Sequence, residues 1–329
     1  MSDNGVVIGI DIGGTTTAFG FVDRHGNLLA TGVIPTEAQQ PAATLVSRLQ
    51  AGIAGLHGDL PAGLQLKGIG IGAPNANYRR GTVENPPNLK WGASINLVEL
   101  FQRYYDLPVA VTNDANAAAL GEMYFGGARN MQDFMVITLG TGLGSGIVAN
   151  GELLYGAGGF AGELGHTVVD PQGRQCGCGK AGCLETYVSA TGLCRTTFAL
   201  LAERRDPSPL REVSYQQLTA QQVFAAAGAG DAIALAAFEA TARILGMKLA
   251  DAVAHTGPEA IFLAGGLATA GELLLTPTQR TLEEFLFSAY QGKVRLLLSA
   301  LPEGTGAILG AAALIRHEID KSRANRLKS

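Results

Sequence analysis

The chain has 329 residues, of which 47% are hydrophobic, 16% are charged and 45 are glycine, with a formal net charge of -4. This length allows two domains, and the acidic balance argues against a nucleic-acid partner, which would favour a basic face. No apolar run approaches the roughly 20 residues of a membrane span, and the N-terminus lacks a signal-peptide core, so the sequence predicts a cytoplasmic protein.

The first half of the chain alternates strands with helices, which is typical of α/β layers. A β-branched run predicts a buried strand at Val6–Ile10, followed by a glycine turn at Asp11–Thr15 and a returning strand at 18–22. The other predicted elements are strands at 28–33, 66–71 and 109–112, helices at 42–55 and 97–105, and a helix that opens at Asn113-Asp114.

The second half repeats this outline. A strand at Phe134–Leu139, a glycine turn at Gly140–Gly144 and a returning strand at 145–149 match the first hairpin, and this repeat predicts two related halves facing a cleft. Later elements are helices at 190–203 and 231–255, the latter between an Asp231 N-cap and Gly257, strands at 260–264 and 294–298, a closing helix at 306–319, and a frayed tail at 321–329.

The two glycine turns are candidate phosphate-binding loops. They offer backbone N–H groups and Thr hydroxyls to a triphosphate, from Gly13, Gly14, Thr15, Gly140, Thr141 and Gly142. Asp11 is suited to meet a phosphate-bound Mg²⁺, directly or through water. Either turn alone can be an ordinary hairpin, and neither matches a P-loop or a dinucleotide fingerprint. Gly265-Gly266, after a third strand, either lets adenine lie against bare backbone or forms a tight strand-to-helix turn.

Asn113-Asp114 lies at the end of a strand, where a helix opens. In one interpretation Asp114 caps that helix. In the other, its carboxylate takes a proton from a sugar hydroxyl, and Asn113 orients the sugar ring through a second hydrogen bond. The sequence leaves both interpretations open.

His166, Cys176, Cys178 and Cys183 form a candidate zinc site, with the cysteines in a C-x-C-x₄-C spacing. Thiolates this close together in a Gly-rich segment can share one tetrahedral Zn²⁺ with a nearby histidine. Ordinary buried thiols or a disulfide with Cys183 are the alternatives, although nothing indicates an oxidising compartment. Cys194 is predicted to be a small apolar residue. The cluster is flanked by two acids suited to bind a polyhydroxylated substrate, Glu163 and Glu185.

Five motifs together resemble the ROK family of repressors, open reading frames and sugar kinases. They are D-I-G-G-T at 11–15, N-D-A-N at 113–116, L-G-T-G-L-G-S-G at 139–146, G-E-L-G-H at 162–166 and C-G-C-G-x-x-G-C-x-E at 176–185. The resemblance covers nearly the whole chain. It implies an actin-like ATPase (ribonuclease H-like) α/β fold, with two domains around a cleft and a zinc-binding loop. The implied domains are 1–113 plus 305–329, with the closing helix, and 114–304, with the zinc loop.

The same resemblance implies roles for individual residues. Asp114 would be the general base, and the His166 and cysteine cluster would bind structural zinc. Sugar contacts would come from Asn113, Asp114, Glu163, His166 and Glu185, and more loosely from Asn75 and Asn88.

The implied activity is ATP-dependent phosphorylation of a hexose, with ATP, Mg²⁺ and structural Zn²⁺ as cofactors and a homodimer as the assembly. Glucose is the expected substrate, and N-acetylmannosamine, N-acetylglucosamine and fructose are the alternatives. A non-catalytic sugar-sensing ROK regulator is the alternative of another class. Some members carry an N-terminal helix-turn-helix, for which the motif at Asp11 leaves no room.

Overall fold

The computed structural model describes residues 4–58, 60–302 and 304–328. The chain divides into two compact units. Unit 1 comprises Met1–Asn130, Leu153–Ala161 and Ala300–Ser329, and unit 2 comprises Met131–Glu152 and Gly162–Ser299.

The elements alternate between strands and helices as the hydrophobic pattern predicted. The first are β1 (Gly5–Ile12), β2 (Thr16–Val22), β3 (Leu28–Pro35), α1 (Ala42–Gly58), β4 (Gln65–Gly72), β5 (Ala76–Asn77), β6 (Thr82–Glu84), β7 (Ser94–Asn96), α2 (Leu97–Gln102), β8 (Val109–Thr112) and α3 (Asp114–Phe125). They are followed by β9 (Phe134–Leu139), β10 (Leu143–Ala149), β11 (Glu152–Leu153), α4 (Ala190–Glu203), α5 (Ala220–Gly228), α6 (Ala232–Thr256), β12 (Ala260–Ala264), α7 (Glu272–Phe285), β13 (Arg295–Leu298) and α8 (Gly306–Lys328).

Unit 1 is built on a five-stranded mixed sheet of order β3-β2-β1-β4-β8, beside a small sheet of order β5-β6-β7. Strands β1, β4 and β8 are parallel, and β2 and β3 are antiparallel additions. In this register Asp11 pairs with Gly72, and Gly72 pairs with Thr112. The carboxyl ends of the three parallel strands therefore meet at one edge of the sheet, which is where ligands bind in open α/β sheets.

Helix α8 covers the unit 1 sheet at two glycines. A side chain on Gly9 or Gly70 would overlap a backbone carbonyl oxygen of α8, that of Ile308 or Ala311 respectively. The missing side chains thus let the helix backbone lie directly on the strands. The helix runs through Lys328, where the sequence predicted a frayed tail at 321–329. Ser329 lies outside the described residues.

Helix α3 belongs to unit 1, although the sequence predicted that a second domain would begin at residue 114. The reason is its packing on α8, since a side chain on Gly310 would lie 2.6 Å from the carbonyl oxygen of Ala117. The division of the chain falls after Asn130 instead.

Unit 2 repeats the strand pattern of unit 1. Its sheet has the order β11-β10-β9-β12-β13, with β10 antiparallel to β9 and with β9, β12 and β13 parallel. The hydrophobic core includes side chains of β9, β12, α4 and α6, such as Ile137, Leu193, Leu249 and Ile261. The ends of β9 and β12 place Gly140–Gly142 and Gly265-Gly266 at one edge.

The helices of unit 2 depart from the sequence predictions at two places. The sequence pattern predicted neither α5 nor α7, and α7 contains Pro277, which breaks a helical pattern. Helix α6 begins after an Asp231 N-cap and ends at left-handed Gly257, as predicted. Among the described residues no single helix has the length and apolarity of a membrane span; α5 and α6, bent by 115°, satisfy that criterion only together.

Candidate active site

Two carboxylates mark the edge of the unit 1 sheet. Burial and the nearby charge of Asp114 raise the pKa of Asp11 to about 6. The Asp114 side chain remains accessible to solvent, but protein atoms crowd its carboxylate, and the lost hydration raises its pKa as well. Acidic oxygens that repel one another in this way are suited to a divalent cation, which would relieve the repulsion.

Asn113, and not Asp114, caps helix α3. The Asn113 side-chain oxygen accepts the N–H of Asn116 at 2.7 Å, as an N-cap does. Asp114 is the first residue of the helix, and its side chain accepts the adjacent N–H of Ala115 at 2.9 Å. Capping by the neighbouring residue leaves the second Asp114 oxygen available for a substrate proton.

The first glycine loop (Gly13–Thr15) follows Asp11 in the sequence. The N–H of Gly13 donates to the carbonyl of Thr16 at 3.0 Å, so it is used within the turn. The N–H groups of Gly14 and Thr15 have no acceptor among the described residues, and they are the donors that a phosphate could use.

The two asparagines that the resemblance assigned more loosely to sugar contacts lie in different surroundings in unit 1. A Cβ on Gly14 would lie 3.0 Å from Cβ of Asn88, so Asn88 packs against the first glycine loop. Asn75 has a left-handed backbone with φ of 54°, and its side-chain amide donates to the carbonyl of Asn85 at 3.1 Å.

The second glycine loop (Gly140–Gly142), in unit 2, also uses the N–H of its first glycine within the turn. The N–H of Gly140 donates to the carbonyl of Gly142 at 3.0 Å, and the N–H groups of Thr141 and Gly142 find no acceptor in the described part of the chain. Gly265 has a φ of 87°, and a side chain there would lie 2.7 Å from the carbonyl oxygen of Leu139. Gly265 therefore makes the tight turn after β12, whereas the space around Gly266 is open.

The predicted metal ligands of unit 2 converge. The ligand atoms of His166, Cys176, Cys178 and Cys183 all lie within 4.8 Å of one another. Cys176 Sγ is 3.8 Å from His166 Nδ1, and the Sγ atoms of Cys178 and Cys183 are 3.6 Å apart. Ligands around a tetrahedral zinc with bonds of about 2.3 Å lie about 3.8 Å apart, so the four residues fit this ion.

The disulfide alternative for the cysteines does not fit this geometry. All four cysteines are free, and the 3.6 Å between Cys178 and Cys183 exceeds a disulfide bond of about 2.05 Å. Burial raises the pKa of Cys176 and Cys183. A bound metal would offset this effect, because it stabilises the thiolate form of its cysteine ligands. Cys194 packs in the unit 2 core, as predicted.

The predicted sugar-binding acids lie on both sides of the metal ligands. Glu185 Oε1 accepts from Cys176 Sγ at 2.8 Å and lies 3.7 Å from His166 Nδ1. On the other side, Glu163 Oε2 is 4.0 Å from His166 Nε2. Because Nδ1 faces the sulfur atoms, Nε2 stays available for a sugar hydroxyl beside Glu163.

Ser145 is a buried residue of this site that the sequence did not reveal. Its hydroxyl donates to the carbonyl of Gly162 and accepts the N–H of Leu164 at 3.2 Å. These two peptide groups flank Glu163, so one side chain of β10 fixes the turn that carries this acid. The pattern G-S-G within a strand gives no sign of such a contact.

The chain is similar to known proteins. The family model described as "ROK family" matches residues 7–318. The glucokinase of Halalkalibacterium halodurans is 36% identical over 329 residues, covering 99% of both chains. The N-acetylmannosamine kinase of Escherichia fergusonii is 33% identical over 314 residues, covering 94% of this chain and 98% of the relative.

A solved structure is also similar. It is a ROK family glucokinase from Streptomyces griseus in complex with glucose and AMPPNP, with a TM-score of 0.78 and 35% identity. The similarity covers 94% of this chain and 98% of that one.

Proposed function

We infer that this chain, which belongs to the ROK family, is an ATP-dependent glucokinase that converts glucose and ATP to glucose 6-phosphate and ADP. The observation that most supports this activity is that Asn113 caps helix α3. Asp114 is therefore not used as the cap, and it lies at the strand edge that also carries Asp11. Glucokinases at 36% and 35% identity over nearly the whole chain support the same activity.

Asp114 is the proposed general base. As the primary hydroxyl oxygen of glucose forms its bond to the γ-phosphorus, the hydroxyl proton passes to Asp114 and the bond to the ADP oxygen breaks. The raised pKa of Asp114 makes its carboxylate a stronger base than an ordinary aspartate. Asp11 would hold Mg²⁺, which neutralises phosphate charge when bound.

The glycine loops are the proposed phosphate donors. In unit 1 the N–H groups of Gly14 and Thr15 and the Thr15 hydroxyl would bind phosphate oxygens. In unit 2 the N–H groups of Thr141 and Gly142 and the Thr141 hydroxyl would do the same. Gly13 and Gly140 shape the turns, since their N–H groups are bonded within them, and Gly265 and Gly266 would lie against adenine.

Glucose hydroxyls would be bound by the residues that the resemblance assigned, Asn75, Asn88, Asn113, Asp114, Glu163, His166 and Glu185. Structural zinc, held by His166, Cys176, Cys178 and Cys183, would fix the last three residues, and with four protein ligands it leaves no open position for water. The actin-like ATPase fold, the cytoplasmic location and the homodimer without nucleic acid belong to the same proposal.

N-acetylmannosamine is the second candidate substrate, because the N-acetylmannosamine kinase of Escherichia fergusonii is 33% identical. A coupled ADP-release assay with glucose, N-acetylmannosamine, N-acetylglucosamine and fructose tests the choice. We expect the highest kcat/KM with glucose. Preference for the acetylated sugar would favour the second candidate, and ADP release with none of the hexoses would refute kinase activity and favour a sugar-sensing regulator.

A further inference from the structure

In both glycine loops, backbone carbonyl groups accept hydrogen bonds from residues that follow the loop's hairpin in the chain. In unit 1 the Thr36 hydroxyl donates to the carbonyl of Gly13 at 2.7 Å, and the Thr36 N–H donates to the carbonyl of Thr15 at 2.8 Å. Thr36 is 1% exposed, and its hydroxyl oxygen lies 2.8 Å from that of Thr17. Since the Thr36 proton points to Gly13, Thr17 is the donor of that pair.

The second glycine loop has the equivalent contacts from the start of α4. The Ala190 N–H donates to the carbonyl of Gly140 at 2.9 Å. The Thr191 hydroxyl donates to the carbonyl of Thr141 at 2.6 Å. In both units, therefore, one backbone N–H and one threonine hydroxyl bond two carbonyl groups of the loop.

These contacts determine where the loop N–H groups point. In a planar trans peptide the C=O of one residue and the N–H of the next point in opposite directions. A donor that holds the Gly13 carbonyl on one side turns the Gly14 N–H to the other side. The Thr141 carbonyl and the Gly142 N–H are related in the same way, and neither N–H has a protein acceptor within the described ranges.

A phosphate-binding loop needs this orientation. Its N–H groups carry the positive end of the peptide dipole toward the anion, and a carbonyl oxygen that turned to the same side would repel it. A Gly-rich turn has little intrinsic preference between the two orientations, because glycine reaches both halves of φ space. An external donor is the simplest way to select one of them.

We propose that Thr36 and Thr191 are positioning residues of the two phosphate loops. Each hydroxyl holds a carbonyl behind its loop, so that the next N–H faces a nucleotide phosphate. The inference rests on the proposed ATP-dependent activity, since it assigns the anion to these N–H groups. It adds residues that act through the backbone of the loops.

The test compares Thr191→Val with Thr191→Ser. Thr191 is exposed, so valine removes the hydroxyl while the fold is retained, and serine keeps the donor. We expect Thr191→Val to raise the KM for ATP and the Kd for AMPPNP about tenfold, with the KM for glucose changed less than twofold. Thr191→Ser is expected to restore both nucleotide constants. The matched control is Thr197→Val, which loses a hydroxyl bond to the Leu193 carbonyl on the same helix but none to the loop.

The wild-type protein is measured first, which separates the two levels of inference. Failure of the wild type to bind AMPPNP or to phosphorylate any hexose overturns the proposed function together with this inference. An active wild type whose Thr191→Val variant keeps the same KM for ATP overturns only the role of the threonines. Thr36→Val repeats the test in unit 1, with thermal melting to verify that it is folded.

Discussion

The carboxylate of Glu185 occupies the space beside Gly142 that a side chain would need: a Cβ on Gly142 would lie 2.6 Å from Glu185 Oε2. Glu185 thus touches the proposed metal site through Oε1 and the second glycine loop through Oε2. The sequence assigned Gly142 to ATP alone. The absence of a side chain on Gly142 also leaves room for Glu185, the acid proposed to bind sugar.

Gly142→Ala is therefore expected to impair sugar binding more than nucleotide binding. The added methyl group displaces the Glu185 carboxylate, and an error of about 1 Å in a substrate-positioning group can cost 10²-fold. We expect the KM for glucose to rise at least tenfold. Gly140→Ala is the matched control, because a Cβ there meets nothing within 4 Å. Equal effects of the two variants on the KM for glucose would contradict this relationship.

Asp114→Asn tests the general base. The amide keeps the shape of the side chain but cannot accept the proton of the sugar hydroxyl, so kcat should fall by about 10²–10⁴-fold. Glucose binding, measured by calorimetry, and zinc content should stay near wild type. A kcat within tenfold of wild type would remove Asp114 from this role.

Cys178→Ser tests the metal site, with Cys194→Ala as its control. Purified wild-type protein should contain one zinc per chain, and Cys178→Ser should lose most of it, because one thiolate ligand is gone. The melting temperature and glucose affinity should fall with it. Cys194 is buried in the core away from the cluster, so Cys194→Ala should lower stability while it keeps the metal. Full zinc content in Cys178→Ser would exclude the residue as a ligand.

Asp11→Asn should stabilise the substrate-free protein above pH 6. The folded pKa of about 6 exceeds the ordinary value of 3.8, so the folded state binds the proton more tightly, and stability from this group is lost as pH rises from about 4 to 6. Asparagine removes the charge and hence that loss. We expect a melting temperature about 2–4 °C above wild type at pH 8, and no difference near pH 4.

The same variant should have little activity at any pH, because Asp11 is the proposed Mg²⁺ ligand. In the wild-type protein kcat/KM should fall as pH decreases below about 6, where Asp11 becomes protonated. Replacement of the exposed Asp106 by Asn is the control. A melting temperature of Asp11→Asn below wild type at pH 8 would show that burial of this charge does not destabilise the fold.

Gly70→Ala should destabilise unit 1, since the added methyl group overlaps the Ala311 carbonyl oxygen. Overpacking of this kind costs about 1–3 kcal/mol or more. Gly55→Ala is the opposite control: Gly55 is an exposed residue of α1, and a Cβ there meets nothing within 4 Å. Alanine should therefore stabilise the helix by about 0.5–1 kcal/mol. Chemical denaturation of both variants measures the difference, and equal stabilities would contradict the close packing of α8.

Much of the fold could be predicted from the sequence because its signals are local. Apolar β-branched runs predicted β8, β9 and β12 within their observed bounds, and the Asp231 N-cap and Gly257 marked the ends of α6. The candidate metal ligands could be predicted because three of them lie within eight residues. Helix α7 was missed because Pro277 interrupts its pattern.

The contacts that were not predicted join residues far apart in the chain. Thr191 reaches Thr141 across 50 residues and Thr36 reaches Gly13 across 23, and neither threonine stands in a recognisable motif. The choice of Asn113 over Asp114 as the cap depends on backbone angles, since both residue types cap helices equally well. These details are fixed by tertiary packing, which single-sequence patterns do not contain.

The packing of α8 on Gly9 and Gly70 has a consequence for biosynthesis. Gly9 cannot contact Ile308 until residue 308 has left the ribosome. The first strands of the protein therefore lack the cover of α8 while unit 2 is being translated. Chains of this kind expose apolar sheet surface during synthesis, which is when aggregation threatens and chaperones act. The order in which the ribosome delivers the two units therefore makes unit 1, although it is begun first, the later one to be completed.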